Sequence, residues 1–276
     1  MICWLRNGRA VFALLPFAAL VFESPAANAQ DGVATTTYSI GVGGSVGIRP
    51  KYEGSKEYEA YGFPLILPKL GGDASAFAGR VKFRGIDDVR IRAFDAGGFE
   101  IGPLAGYVFG RDEDDGDKLL GLGKVDDGLV LGAYAGYRLG IVMFDVSYHQ
   151  IVTGNDDGYQ IRAGAEVESY IAPGVKGVAR VGTTFADDNY MDSYFGVNAV
   201  QASNSIAGLP VYDAGSGIKD VHFGLATVID LTDRWKLRAG GKYARLLKDA
   251  ADSPVIETKD QFSAIVGLSY RFDFQR

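Results

Sequence analysis

The chain has 276 residues, of which 38 are glycine and 31 are tyrosine or phenylalanine, and its formal net charge is −6 at pH 7. An acidic total argues against a nucleic-acid-binding protein. The only cysteine is Cys3, so the rest of the chain offers no disulfide, no thiolate ligand and no cysteine nucleophile. Many glycines and aromatic residues without cysteine are typical of a membrane β-barrel.

Residues 1–29 are predicted to be a cleaved secretory signal peptide. Arg6 and Arg9 precede an apolar run at residues 10–22, and Ala27-Asn28-Ala29 supplies the small residues of a cleavage site before Gln30. The run is shorter than the roughly 20 residues of a membrane-spanning helix, although an uncleaved amphipathic anchor is the alternative. Residues 30–276 contain no Pro/Ser-rich linker and are predicted to form one domain.

After the signal peptide, apolar and polar residues alternate with a period of two. In the first predicted strand Tyr38, Ile40 and Val42 alternate with small or polar residues, whereas a helix would group apolar residues at spacings of three and four. The pattern predicts an all-β fold, a closed antiparallel transmembrane β-barrel of twelve strands. The strands are expected near 37–48, 58–67, 74–84, 89–94, 99–110, 129–139, 142–150, 159–169, 175–185, 219–230, 235–246 and 262–274.

The connections between these strands alternate in length. Short ones at 68–73, 95–98, 140–141, 170–174 and 231–234 alternate with longer ones at 49–57, 111–128, 151–158, 186–218 and 247–261, and 85–88 is the short exception. Outer-membrane barrels have short periplasmic turns and long extracellular loops, and a soluble sandwich or barrel has no reason to sort its loops this way. Residues 186–218 are expected to form the largest extracellular loop and to fold back over the mouth.

Nine basic residues lie out of phase with the apolar residues of their strands. A charge that faces lipid at mid-depth would cost about 2–4 kcal/mol, so these side chains are predicted to face the lumen. Glu100, Asp145, Glu166 and Glu168 are predicted to face it too. Two interpretations remain open, a salt-bridged plug and a small anion-favouring pore. The nine residues are Arg80, Lys82, Arg84, Arg90, Arg92, Arg162, Arg180, Arg238 and Lys242.

One predicted extracellular loop is acidic. Its carboxylates could bind a divalent cation or bridge to lipopolysaccharide through one, but their spacing does not match an EF-hand, and a solvated surface loop is the alternative. The acidic residues are Asp112, Glu113, Asp114, Asp115 and Asp117.

His149 and His222 are the only histidines, and both are predicted to face the lumen. Ser147 and Asp145 share the face of His149, so residue types alone do not exclude a Ser-His-Asp hydrolase. Nothing else in the sequence marks a nucleophile. The expectation is a protein that is not an enzyme and has neither a cofactor nor a metal.

Several loop motifs resemble the MipA/OmpV family of outer-membrane proteins. They include IRPKYEGS at 48–55, FGRDEDD at 109–115, YFGV at 194–197, GLPVYDAGSG at 208–217 and DAADSP at 249–254. The resemblance covers essentially the whole chain after the signal peptide, and the extension after Phe272 departs from it. No catalytic residues can be carried over from this family.

The resemblance implies an outer-membrane barrel that acts as a scaffold between a murein lytic transglycosylase and a murein synthase. Other members are similar to porin-like or adhesive surface proteins. The partners expected are therefore outer-membrane lipid and lipopolysaccharide, with the two murein enzymes, and no nucleic acid.

Overall fold

The computed structural model describes residues 2–6, 9–13, 37–69, 80–154 and 158–275. Two short strands, Ile2–Arg6 and Arg9–Ala13, pair with each other in a separate sheet. The expected cleavage site between Ala29 and Gln30 lies outside the described residues, and so does the start of the predicted third strand, residues 74–79.

The main sheet contains thirteen strand segments, all paired antiparallel. They are β1 (Thr37–Pro50), β2 (Tyr58–Lys69), β3 (Val81–Gly85), β4 (Asp88–Ile91), β5 (Phe94–Ala96), β6 (Phe99–Val108), β7 (Gly128–Leu139), β8 (Val142–Ile151), β9 (Tyr159–Ala172), β10 (Val175–Ala186), β11 (Gly217–Asp230), β12 (Trp235–Leu246) and β13 (Asp260–Gln275).

The predicted fourth strand is interrupted, and this accounts for the thirteenth segment. At the break, Arg92 N–H donates to the carbonyl of Arg80 and Ala93 N–H donates to that of Ile101, so β4 and β5 pair with different stretches of their neighbours. Counted as one interrupted strand, they leave twelve strands in the order β2-β1-β13-β12-β11-β10-β9-β8-β7-β6-β4-β3.

The strands that come first and last in chain order, β1 and β13, lie side by side and are paired along twelve residue pairs. Consecutive pairing of the remaining strands curls the sheet and leaves β2 and β3 as its edges in the described residues. The rings of Phe63 on β2 and Phe83 on β3 lie 6.1 Å apart across this seam. Closure of the barrel by a β2–β3 ladder remains a prediction.

The two faces of the sheet differ as a membrane wall requires. On β8, Phe144, Val146 and Tyr148 are exposed on the outer face, whereas Asp145 and Ser147 alternate with them and are buried inside. The large apolar side chains that the outer face exposes would be covered by lipid.

Strand β2 departs from this alternation. Its residue Tyr61 lies against the inner face, where a Cβ added to Gly47 would come within 2.6 Å of the tyrosine ring. Similarly, a Cβ on Gly267 of β13 would lie 3.0 Å from the side chain of Leu65. Glycines on β1 and β13 therefore make room inside the barrel for large side chains of β2.

Short turns and long loops lie at opposite ends of the sheet. At the end that holds the short turns, Gly140 (φ 60°) and Gly174 (φ 70°) have the positive φ that two-residue hairpin turns favour. The long connections contain the helices α1 (Asp188–Phe195), α2 (Ala199–Asn204) and α3 (Lys248–Asp252), and two single 3₁₀ turns at Glu113–Asp115 and Asp117–Leu119. Among the described residues, no helix is both long enough and apolar enough to cross a membrane.

Candidate functional site: an ion-paired lumen beneath a folded lid

Asp145 on β8 is the centre of the charge network in the lumen. Its fully buried carboxylate accepts hydrogen bonds from Arg84 at 2.8 Å, from Arg90 at 2.9 Å and from Arg180 at 3.2 Å. Three guanidinium groups around one carboxylate leave an excess of positive charge, so further acids must lie nearby.

Glu166 on β9 and Asp88 on β4 supply that negative charge. Glu166 pairs with Lys82, with Arg84 at 3.1 Å and with Arg180 at 3.4 Å. Asp88 accepts from Arg90 at 2.7 Å. We call these seven residues the ion-pair network: Lys82, Arg84, Asp88, Arg90, Asp145, Glu166 and Arg180.

The network connects distant parts of the barrel wall. Lys82 and Arg84 lie on β3, whereas their partners lie on β8 and β9, and three intervening strands (β4, β6 and β7) separate β3 from β8. The contacts therefore cross the lumen. They also hold the β3–β4 hairpin, whose ladder to β6 contains only the pairs Val89–Ala105 and Arg90–Leu104.

The other predicted lumenal cations lie outside this network. Arg162 pairs with Asp87 at 2.6 Å, and Arg238 donates to Ser269 at 2.7 Å. Arg92 pairs with Asp95 at 2.9 Å near the short turns, and Arg80 is exposed. Lys242 is exposed and alternates with Tyr243, whose ring packs on the outer-face residue Phe262.

Of the predicted inward acids, Asp145 and Glu166 are part of the network. Glu168 instead pairs with Lys176 at 2.6 Å, and Glu100 lies opposite Asp95 in the β5–β6 ladder. Five of the nine predicted cations thus form ion pairs with acids inside the barrel, away from the short turns. They are Lys82, Arg84, Arg90, Arg162 and Arg180.

Aromatic side chains occupy the part of the lumen near β2. The ring of Tyr61 lies 6.3 Å from that of Phe109, and the guanidinium of Arg49 stacks 3.5 Å from the centroid of the Phe109 ring. Arg49 also pairs with Glu59. The lumen is therefore ionic on the side of β8–β10 and largely aromatic on the side of β2.

The extracellular connections fold into a lid with its own apolar core. The lid comprises residues 51–57, 109–127, 187–216 and 247–259. Phe195 of α1 and Ala250 of α3 pack with Tyr134 and Ile151 of the barrel wall in one buried cluster. A second buried cluster joins the four lid segments through Tyr52, Leu119, Leu122, Val197, Leu209 and Val255.

Glu53 fastens the lid to the wall. Its carboxylate accepts from Lys219 of β11 at 2.5 Å and from the hydroxyl of Tyr190 at 3.2 Å, and the Lys219 ammonium lies 5.0 Å from the Tyr190 ring. A register shift near Thr184 and Phe185 lets Lys219 and its neighbour Asp220 both point inward. We call Glu53, Tyr190 and Lys219 the lid latch.

Arg111 is a buried cation in the lid core. Its side chain is 1% exposed and donates to the carbonyl of Ser193 at 3.2 Å, while Nε and Nη1 have no hydrogen-bond partner among the described residues. Burial lowers the pKa of Arg111 to about 10, and burial likewise raises the pKa of Tyr52 beside it. The lid therefore holds an incompletely compensated charge.

The acidic loop uses its carboxylates for its own backbone. Asp115 is buried and accepts from the N–H of Asp112 at 2.7 Å, and Glu113 accepts from the N–H of Gly123 at 2.7 Å. In the part of the chain that the structure describes, no three His, Asp or Glu side chains are grouped to hold a metal ion.

Ser147 and His149 form a hydrogen bond but no triad. The Ser147 hydroxyl lies 2.9 Å from Nε2 of His149 and also accepts from Arg90, while Nδ1 of His149 has no partner in the described chain. Asp145 is committed to arginines. His222 has the opposite arrangement, with Nδ1 2.9 Å from Asp220. Neither histidine joins both an acid and a nucleophile.

Sequence reasoning missed several residues of this site. Asp87 and Asp88 both fall in the predicted connection 85–88, the one short connection on the long-loop side, and its place between two basic strands could have indicated their role. The latch and Arg111 depend on loop packing and on the register shift in β11, for which the sequence holds no signal.

A twelve-strand antiparallel sheet with an apolar outer face, an ionic interior and loops sorted by length defines an outer-membrane β-barrel. The chain belongs to the family described as MltA-interacting protein MipA, whose sequence model matches residues 42–272. The predicted family and barrel class are thereby confirmed, and the protein resides in the outer membrane.

Known relatives are outer-membrane proteins. Outer membrane protein OmpV of Vibrio cholerae serotype O1 and Omp26La of Vibrio anguillarum are each 26% identical over 170 residues, which is 61% of this chain and 64% of theirs. The putative outer membrane protein YiaT of Escherichia coli K12 is 27% identical over 92 residues, 33% of this chain and 36% of its own. The chain thus matches less than two thirds of the length of these relatives.

Solved outer-membrane proteins also resemble the chain at low similarity. A loop-deletion mutant of OmpT of Vibrio cholerae has a TM-score of 0.38 at 7% identity and covers 87% of this chain and 100% of its own. OprB of Pseudomonas putida has a TM-score of 0.40 at 8% identity, and the match covers 86% of this chain and 94% of OprB.

Proposed function

We propose that the protein is a non-conducting outer-membrane barrel that works as an interaction scaffold rather than as an enzyme. The observation that carries this proposal is the ion-pair network, in which arginines on β3, β4 and β10 share the buried carboxylate of Asp145 across the lumen. A general diffusion pore needs an open aqueous path, whereas this lumen is bridged by side chains and covered by the lid.

The partner class follows from the family. Its description states an interaction with MltA, and we extend this to a murein lytic transglycosylase and, through it, a murein synthase. Such enzymes would meet the periplasmic end of the barrel, which presents short turns such as Gly140–Ile141 and residues 231–234. Lipid and lipopolysaccharide would surround the apolar outer face.

Two measurements test this proposal. The purified barrel in planar bilayers should give no single-channel conductance, and the immobilised barrel should retain a lytic transglycosylase of the same organism. Replacing residues 231–234 by Gly-Ser should weaken that capture, whereas replacing the exposed lid residues 203–204 by Gly-Ser should not. Steady conductance without capture of the transglycosylase would overturn the scaffold.

A small anion-favouring pore is the second candidate, because Arg238 and Lys242 lie apart from the ion-pair network and Lys242 is exposed. It predicts anion-selective conductance that falls when Lys242 is replaced by Glu. A surface-adhesin role is the third, and it would use the lid rather than the periplasmic turns.

A further inference from the structure

The extracellular connections concentrate negative charge. The lid segments 51–57, 109–127, 187–216 and 247–259 contain 16 acidic and 7 basic side chains, although the whole chain has a net charge of only −6. The segment 187–216 has four aspartates and neither lysine nor arginine. The outer surface of the lid therefore attracts cations and repels other copies of itself.

Within this acidic surface, one stretch exposes aliphatic side chains. Val200, Ile206 and Val211 are 67%, 77% and 61% exposed, and helix α2 has no buried residue. Single exposed aliphatic residues are ordinary, but several within one short stretch that is rimmed by charged residues indicate an interaction surface. We call these three residues the lid patch.

The lid patch is held in place by the acidic loop beneath it. Ile206 N–H donates to the carbonyl of Leu120 at 3.1 Å, and the side chain of Gln201 donates to that of Leu122 at 2.7 Å. Val197 and Tyr212 form an antiparallel bridge next to Val211. Exposed acids lie on the connected segments, at Asp117, Asp192 and Asp213.

We propose that the lid patch is a docking site for a cationic amphipathic helix. An apolar helix face would cover Val200, Ile206 and Val211, while lysine or arginine on its flanks would face the acids around them. A second copy of this chain fits poorly because two acidic lids would repel each other. The site lies on the lid and is independent of the periplasmic scaffold role.

The test uses the full-length barrel in zwitterionic nanodiscs and three fluorescent peptides. A helical Leu/Lys peptide should bind, and its affinity should fall as salt rises from low to physiological concentration. A Leu/Glu peptide of the same pattern and an oligolysine without leucine should bind at least about tenfold more weakly, because each lacks one of the two contributions. Empty nanodiscs set the background.

Variants locate the site. Replacing Val200, Ile206 and Val211 together by Ser should weaken Leu/Lys binding about tenfold or more, since three aliphatic contacts are lost. Val152→Ser is the matched control, because Val152 is an exposed extracellular valine (47%) outside the patch. Unchanged binding in the triple variant, or oligolysine binding as tight as the Leu/Lys peptide, would overturn the proposal and leave only general charge attraction.

Discussion

Asp145 carries more of the lumenal architecture than any other single side chain described above. Its carboxylate contacts Arg84, Arg90 and Arg180 together, and these cations come from three strands on two parts of the wall. Removing one member of a buried ion-pair group is costly because its partners then stay buried without compensation. Replacing a solvent-exposed charge has no such consequence.

Asp145→Asn should therefore destabilise the barrel by about 3–5 kcal/mol, because the amide preserves shape but removes the negative charge from three guanidinium groups. Urea unfolding of the barrel in lipid vesicles, followed by tryptophan fluorescence, measures this loss. Asp260→Asn is the control, since Asp260 pairs with Arg245 at the exposed rim. Equal stability of the two variants would mean that the network does not hold the wall together.

Arg111 gives a prediction of opposite sign. Its guanidinium is buried near Tyr52, Tyr194 and Asp115, two of its nitrogen atoms have no hydrogen-bond partner among the described residues, and burial lowers its pKa to about 10. Arg111→Met keeps an unbranched stem and removes the charge together with two unsatisfied donors, so the lid should gain about 1–3 kcal/mol of stability, the cost of leaving a buried donor unsatisfied. Limited proteolysis of the lid loops should slow; faster cleavage would show that the bond to Ser193 outweighs the buried charge.

At the scale of the element, the lid and the wall are joined by the lid latch. Glu53 comes from the β1–β2 connection, Tyr190 from α1 and Lys219 from β11, so three separate elements depend on one carboxylate. The Lys219 side chain is 4% exposed and that of Glu53 is 35% exposed, so water weakens this ion pair only in part.

A double-mutant cycle with Glu53→Gln and Lys219→Met should show a coupling free energy of about 1–3 kcal/mol between the two side chains. The measured quantity is the rate of protease cleavage within residues 187–216 under conditions where the barrel stays folded. Lys51→Met with Glu57→Gln is the control cycle, because that pair lies on the lid surface. Strictly additive effects for Glu53 and Lys219 would contradict the latch.

The strands were largely predictable from sequence, and the reason is local. The alternation of apolar and polar residues on β8 and β11 indicates which side chains face lipid, because every strand of a barrel wall has one apolar face. The predicted secondary structure was wrong at two kinds of place, where packing rather than alternation determines the element. The interruption at Arg92–Ala93 splits the predicted fourth strand, and the helices α1–α3 lie within regions predicted as loops.

The candidate site was less predictable because it depends on contacts between distant residues. The phase of β3 predicts that Lys82 and Arg84 share a face, but the choice of Asp145 and Glu166 as their partners depends on barrel curvature and the placement of the β3–β4 hairpin. Likewise, Lys219 points inward only because of the register shift in β11, and no periodicity in the sequence marks it.

At the scale of the whole molecule, two separate structures lie within and over the lumen. The ion-pair network crosses it within the wall, and the lid covers its extracellular mouth through an apolar core shared with the wall. Loss of the latch alone should leave the barrel non-conducting, because the network does not include any latch residue. This independence distinguishes a plugged barrel from a pore with a single gate.

The closed barrel itself can be tested at the seam between β2 and β3. The rings of Phe63 and Phe83 lie 6.1 Å apart, so cysteines at these positions should be joined by a short bifunctional thiol reagent.

Because Cys3 is the only native cysteine, Cys3→Ser gives a background in which only engineered thiols react. Phe83→Cys with Phe223→Cys on β11 is the control, since that strand lies five places from β3 the shorter way round a closed wall. Mass spectrometry of the digested barrel should find the first pair linked and the second unlinked. Failure of the Phe63–Phe83 link in the folded, membrane-inserted protein would mean that the two edges stand apart and that the wall is open.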